Sequence, residues 1–293
     1  MSLAWIDDPP GEGRWASAEK LSVPLDDRGL LLGEGLFETV LVEGGQPQLL
    51  AQHLERWHWG AALLGLAPPP DQERVKGLAA EAVARSGIGT GALRLNWSGG
   101  SGAPGSRGLE AIPRPDGRPR ERFWLQLTAS QPCFDPVSTM VSRWERRNGA
   151  SRLSRCKTFH YAPQIQALRE ARLAGAEDAL LLGSDGHLSC GTAANLLVRL
   201  GGAWHTPPLS SGCLPGVMRA RALAQGWLKE SPLPPQEREQ WEGALLINSL
   251  GCRVIHACEG QALGGLQPLQ AEELWRGLLH PFSAQRQPCT EMR

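Results

Sequence analysis

Between Pro163 and Leu200 the chain switches hydrophobic period in a fixed order, and that order leaves few folds open. Pro163 to Leu173 reads as a helix, stopped at Gly175, a residue suited to a helix C-terminus. Ala179 to Leu182 then reads as a strand, Ser184-Asp185-Gly186 as a hairpin turn, and Leu188–Cys190 and Asn195–Leu200 as further strands. A helix feeding directly into short apolar strands has to cover the sheet that those strands form, because each element has one apolar face to bury. The expectation is an α/β (α+β) chain.

The rest of the sequence fits that class. Gln52–Leu66 and Asp71–Arg85 carry apolar residues at helical spacing, and Ala92–Trp97 and Phe123–Thr128 read as strands. Before them, Asp26-Asp27-Arg28-Gly29 reads as a turn. Two glycines, Gly33 and Gly35, then lead into a strand through Val40, where they let the backbone come close to another segment. Gln131-Pro132 and Asp135-Pro136 mark a crossover, dividing the chain into a smaller domain over 1–130 and a larger one over 131–293. In the second half, Val137–Trp144 reads as a strand, a helix runs from Leu214-Pro215-Gly216 to about Trp227, Ala244–Ser249 and Val254–His256 close a sheet, and Ala271–Leu279 forms the last helix. Ser98 to Gly108, with its Pro- and Arg-rich continuation to Arg122, has the composition of a loop. It lacks the lysine-containing phosphate-loop pattern, so the expectation is a flap over a site rather than a nucleotide cradle.

Composition narrows the function classes. Thirty basic residues balance thirty acidic ones and no basic stripe interleaves with aromatics, which argues against nucleic acid as a partner. No apolar run approaches the roughly 20 residues that span a bilayer, and Met1–Gly11 is polar and acidic, so the expected setting is soluble and cytoplasmic, with no membrane partner. Seven scattered cysteines without a C-x-x-C pair are expected to be mostly buried, reduced thiols. The seven histidines show no metal spacing, and no metal is expected.

Lysine is scarce. Only Lys20, Lys76, Lys157 and Lys229 occur, and Lys157 lies among Arg152 and Arg155, four residues before the single tyrosine, Tyr161. Neighbouring positive charge and burial both disfavour an ammonium and free the amine as nucleophile or base; on local chemistry alone, an ordinary surface lysine ahead of a helix is the simpler reading. Arg56, beside the apolar stripe of Leu54, Trp57 and Ala61, is either a snorkelling side chain or a fork for a phosphate. The helix beginning after Gly216 offers free N–H groups, as every helix start does.

Taken in order, several motifs bring these segments together. They are Lys157-x-x-x-Tyr161, Arg169-Glu170-Ala171, Gly175-Ala176-Glu177-Asp178-Ala179 followed by three leucines, Asp185-Gly186, Asn195-Leu196, Thr206-Pro207-Pro208 and Leu214-Pro215-Gly216. In this the chain resembles the class IV pyridoxal-phosphate aminotransferases, the group that holds D-amino-acid and branched-chain aminotransferases and aminodeoxychorismate lyase, over roughly residues 25–255. The resemblance implies a two-domain, D-amino-acid-aminotransferase-like fold of type IV, with pyridoxal 5′-phosphate in the cleft between the domains, and a homodimer acting on a small-molecule substrate. It also implies roles. Lys157 binds the cofactor aldehyde and moves protons, Tyr161 meets the cofactor's phenolic oxygen, and Arg56 binds the phosphate, which the N–H groups of Val217 and Met218 cap. Asn195 lies near the ring, and Asn248 and Ser249 come to the phosphate side.

Within the family, Phe37-Glu38-Thr39 is similar to the lyase and makes Thr39 a candidate substrate-side hydroxyl, while Ser106-Arg107-Gly108 is similar to the lyase loop and makes Arg107 a candidate for a substrate carboxylate. The family expects a glutamate against the pyridine nitrogen where this chain has Cys190, and many relatives carry a threonine where it has Met218. A thiol cannot form that ion pair, which weakens transamination more than an elimination driven by aromatisation. The resemblance therefore implies 4-amino-4-deoxychorismate lyase activity, giving 4-aminobenzoate for folate. A D-amino-acid or branched-chain aminotransferase and a non-catalytic protein of the same fold are the alternatives.

Overall fold

The computed structural model describes residues 2–7, 13–101 and 121–279. The first half contains β1 (Ser2–Ile6), β2 (Arg14–Ala16), α1 (Arg28–Leu32), β3 (Gly35–Glu43), β4 (Gln46–Pro47), α2 (Leu50–Leu64), α3 (Gln72–Ser86), β5 (Gly91–Ser98) and β6 (Arg122–Ala129). Its strands form one antiparallel sheet in the order β2-β1-β6-β5-β3-β4. Alternation along the strands sorts the two faces. Leu36, Val40, Val42, Leu93 and Leu95 pack with Leu54, Trp57 and Ala61 of α2 and with Val75 and Ala79 of α3. The intervening residues Phe37, Thr39 and Arg94 turn to the opposite face and line a cavity.

The second half contains β7 (Val137–Arg147), α4 (Ala162–Leu173), β8 (Asp178–Gly183), β9 (Leu188–Cys190), β10 (Asn195–Leu200), β11 (Ala203–Thr206), α5 (Val217–Ala224), β12 (Leu228–Glu230), β13 (Gly243–Asn248), β14 (Gly251–Cys258), β15 (Gln261–Ala262) and α6 (Pro268–Leu279). The sheet runs β12-β11-β10-β13-β14-β7-β8-β9, and β9 pairs back onto β10, so six strands close on themselves. Closure removes the free edges of those strands. Val137, Leu180, Leu188, Leu196, Leu246 and Ile255, one from each of the six, form a single buried cluster. Their sequence neighbours point the other way: Leu197, Leu245 and Ile247 pack with α5 and α6, and Ala179 and Leu181 pack with Ala167 and Ala171 of α4, in a cluster that Cys190 of β9 joins across an irregular β8–β9 register.

Several sequence expectations shift at their boundaries. β7 runs to Arg147 and β14 spans Gly251–Cys258, both longer than expected. α5 stops at Ala224 rather than near Trp227, because Gly226 takes a left-handed φ of 73° and Trp227 N–H turns back to Ala222 C=O. The segment expected as a turn at Asp26–Gly29 starts α1. Asp27 caps it by accepting from Gly29 N–H at 2.8 Å, and Leu30, Leu31 and Leu32 stay exposed.

Candidate active site

Lys157 owes its position to β3. That strand pairs with β4 only at Val42 and Glu43, so its opening residues have a free edge. The segment after the 3-10 turn Arg152–Arg155 uses it: Phe37 N–H donates to Lys157 C=O at 2.8 Å, Phe159 N–H donates to Gly35 C=O at 2.9 Å, and Leu36 bridges Thr158. A side chain at Gly35 would collide with the Phe159 ring, since its Cβ would lie 2.3 Å from Phe159 Cε2. The close approach expected of these glycines is thus made, and it delivers Lys157 to the cavity.

That cavity, about 400 Å³, lies between the face of β3 and β5 and the β9–β10 and α5 side of the second half. Lys157 Nζ is 4.3 Å from the centroid of Phe37 and 3.4 Å from the Tyr161 hydroxyl. Burial, reinforced by Arg56 and Arg94 and only partly opposed by Glu38, lowers its pKa from 10.5 to about 7. Near neutral pH a large fraction of the amine therefore carries a free electron pair, as attack on an aldehyde or removal of a proton requires. Burial raises the pKa of the Tyr161 phenol, which therefore keeps its proton as a donor.

Arg56 sits in α2 opposite Glu38 of β3. Its Nε and Nη2 donate to the two carboxylate oxygens at 2.8 and 2.6 Å, and Nη1 donates to Pro215 C=O at 3.0 Å. His53, one turn earlier, meets Glu38 Oε2 through Nδ1 at 2.7 Å and Ser249 Oγ through Nε2 at 3.1 Å. Burial alone would raise the Glu38 carboxyl, but Arg56 and His53 outweigh it and hold it at about 2. Breaking such a buried pair costs about 3–5 kcal/mol. Of the five guanidinium N–H groups three are used within the protein, and two remain for a ligand.

The start of α5 supplies further donors. Gly216 is its N-cap and has no side-chain cap, which leaves Val217 and Met218 N–H without intrahelical partners. A Cβ on Gly216 would stand 2.0 Å from Asn195 Oδ1, and Asn195 Nδ2 donates to Leu214 C=O at 2.9 Å, so Asn195 pins this turn against β10. The Met218 side chain is 1% exposed and belongs to the α5–α6 core.

Cys190 and Asn195 are cross-strand partners at the closure of the six-stranded ring. Burial raises the Cys190 thiol against the opposing effect of Arg147, so the group is a neutral S–H. Asn248 and Ser249 also line the cavity, but their side chains are partly committed. Asn248 donates to Ala193 C=O and accepts from Leu250 N–H, and the Ser249 hydroxyl pairs with His53. Every sequence-derived candidate within the described residues therefore reaches one cavity: Thr39, Arg56, Lys157 and Tyr161 on one side, and Cys190, Asn195, Val217, Met218, Asn248 and Ser249 on the other. Arg107 lies outside the described residues.

Sequence reasoning missed five contributors. Glu38 and His53 hold Arg56; Arg94, Arg147 and Gln164 line the cavity. Arg94 stacks over Phe37 at 3.7 Å and donates to Asn96 Oδ1 at 2.8 Å, with no carboxylate partner among the described residues. The alternation Leu93-Arg94-Leu95 held the signal, since it sends Arg94 to the face away from the helices. Gln164 is on the cavity lining, and its buried Oε1 has no hydrogen-bond partner among the described residues, so it is open to a donor from water or a ligand. The free N–H groups at the start of α5, the unused N–H groups of Arg56 and a partly neutral lysine fit a phosphate-bearing aldehyde cofactor. Among the described residues no three His, Cys, Asp or Glu side chains cluster to hold a metal.

Comparison with known proteins agrees with this geometry. Residues 35–258 match the family described as "Amino-transferase class IV", which points to pyridoxal 5′-phosphate as cofactor. The chain is 26% identical to the aminodeoxychorismate lyase of Bacillus subtilis, over 71% of this chain and 69% of that protein. It is 25% identical to the D-alanine aminotransferase of Bacillus licheniformis, over 87% and 90%. The fold IV-transaminase of Curtobacterium pusillum superimposes with a TM-score of 0.79 at 24% identity, covering 96% of this chain and all of the other, which establishes the type IV fold. With that fold, a lysine-centred cavity and a family match spanning β3 to β14, the chain belongs to the class IV amino-transferases.

Proposed function

We propose that the protein is a 4-amino-4-deoxychorismate lyase that uses pyridoxal 5′-phosphate. The observation that carries this reading is the charge of the cavity: Arg56, Arg94, Arg147 and Lys157 line it, and no Asp or Glu does among the described residues. Such a site suits a phosphate together with a substrate bearing two carboxylates. When bound, the cofactor supplies an electron sink conjugated to the substrate's amine. Lys157 Nζ would hold the cofactor until the substrate's amine replaced it, and as a free amine would then take the proton from the ring carbon that carries that amine. The neighbouring C–O bond then breaks, enolpyruvate leaves with the electron pair and gains a proton to become pyruvate, and the ring becomes 4-aminobenzoate.

Arg56 and the N–H groups of Val217 and Met218 would take the phosphate, and Tyr161 the phenolic oxygen. Asn195 would position the α5 turn, and Asn248 and Ser249 would close the phosphate side. Thr39, the cross-strand neighbour of Arg94, would offer its hydroxyl to the substrate while Arg94 and Arg107 bind carboxylates. We place the domain division near 130/131, between the two sheets, and the enzyme in the cytoplasm, supplying folate synthesis. The exposed leucines of α1 support a homodimer, and no described helix is long and apolar enough to cross a membrane.

The similarity to a D-alanine aminotransferase over most of both chains favours amino-group transfer as the second reading. Complementation decides between them: the gene should restore growth of a 4-aminobenzoate auxotroph and its Lys157→Ala variant should not. Failure of the expressed, folded wild type to complement would overturn the lyase reading.

A further inference from the structure

We propose that this cavity keeps the ring nitrogen of its cofactor unprotonated, with the Cys190 thiol as a neutral neighbour, and thereby favours elimination over amino-group transfer. The inference rests on the cofactor assignment made above. A pyridinium is a cation and needs either water or a counter-charge when it is enclosed. The described wall gives the ring nitrogen no carboxylate, and with Arg56 engaged by Glu38 and the phosphate and Lys157 holding the cofactor, the remaining cationic side chains of the lining are Arg94 and Arg147.

Two acids behind the cavity wall are already engaged. Glu38 is held by Arg56 and His53 on the α2 side of β3. Asp178 stands behind Thr192, accepting from its hydroxyl at 2.6 Å and from Ala179 N–H at 2.8 Å. Around Cys190 itself, β7 presents Arg147, fixed by Gly212 C=O at 2.9 Å and Ser154 C=O at 3.2 Å, and β8 presents Asp178. Ser189 Oγ lies 3.8 Å from the Cys190 sulfur, Tyr161 stands at the start of α4, and Cys213 completes the same cluster. The balance at this wall is one cation, Arg147, one acid already engaged by Thr192 and Ala179, and neutral donors, with no carboxylate on the cavity lining itself, which suits a nitrogen that accepts a hydrogen bond over one that carries a proton. A neutral pyridine is a weaker electron sink. An elimination that gains aromaticity tolerates that loss better than a transfer that must stabilise a carbanion long enough to move its proton.

The test uses the holoenzyme reconstituted with pyridoxal phosphate labelled with ¹⁵N in the ring, observed by NMR between pH 6 and 9. The wild type is expected to show the downfield position of a neutral pyridine, unchanged across that range. Cys190→Glu is expected to shift the resonance upfield, raising the protonation midpoint by about 1–3 pH units, and to increase conversion of the cofactor to its amine form with D-alanine or a branched-chain amino acid. Cys190→Ser, a smaller change, is expected to keep the wild-type position. A protonated nitrogen in the wild type at pH 7 overturns the inference while leaving the cofactor assignment intact. A resonance identical to free cofactor and indifferent to Lys157→Ala overturns the assignment, and the inference with it.

Discussion

Lys157→Met is expected to stabilise the cofactor-free protein near neutral pH, although it removes the group on which the chemistry depends. In the folded chain the amine titrates at about 7 instead of 10.5, so folding releases its proton between those two values. There the unfolded chain binds more protons, and stability rises with pH by about 1.4 kcal/mol per pH unit from this group alone. Below about pH 7 both states are protonated and the full penalty applies, with an upper bound of about 5 kcal/mol because the amine faces a cavity that admits water. The hydrogen bond to Tyr161 that methionine forfeits is long, 3.4 Å, and offsets little of this. Urea unfolding of both proteins, stripped of cofactor, at steps from pH 6.5 to 9 isolates the effect, since groups common to both cancel in the difference. The variant should be the more stable at pH 7, and its advantage should shrink as pH rises. An advantage that is absent, or that grows with pH, would refute the reasoning that the site holds this amine depressed.

Glu38→Gln leaves Arg56 and His53 buried without their charge partner and should cost about 3–5 kcal/mol, read as a lower Tm together with weaker cofactor binding. In the wild type the stabilisation from Glu38 is present above the ordinary carboxylate range and is lost as pH falls from 4.5 towards about 2; the variant should lack that part of the acid transition. Arg94→Met should lower kcat/KM roughly 10- to 150-fold through a lost charge-assisted contact, mainly in KM, with the cofactor spectrum unchanged. Steady-state kinetics beside an absorbance titration check both halves of that expectation.

What the sequence reveals and what it hides follow from different physics. Lys157 and Tyr161 stand out because their residue types are rare in this chain and their spacing puts both at the mouth of a helix. Gly35 is legible as a close approach, and the helices over 50–64, 72–86 and 162–173 follow from apolar periodicity and stop signals. The closure of the six-stranded ring is not legible, because β9 is three residues long and meets β10 through one pair, Cys190 with Asn195, after an intervening turn. β1 escapes notice for a similar reason. Ser2–Ile6 is short, and its role depends on β6, more than a hundred residues away. Glu38 lies in a strand that otherwise reads as apolar, and only the fold shows that α2 brings His53 and Arg56 to it. Asn248 and Ser249 illustrate the converse: their place at the cavity was expected, whereas the commitments of their side chains to Ala193, Leu250 and His53 required coordinates.

The most direct test of the central claim is product analysis after incubating the purified, cofactor-loaded protein with freshly generated 4-amino-4-deoxychorismate. Stoichiometric 4-aminobenzoate and pyruvate, formed by the wild type and lost in Lys157→Ala, is the predicted result. Absence of 4-aminobenzoate from the wild type, with amino-group transfer from D-alanine or a branched-chain amino acid to 2-oxoglutarate, would contradict it.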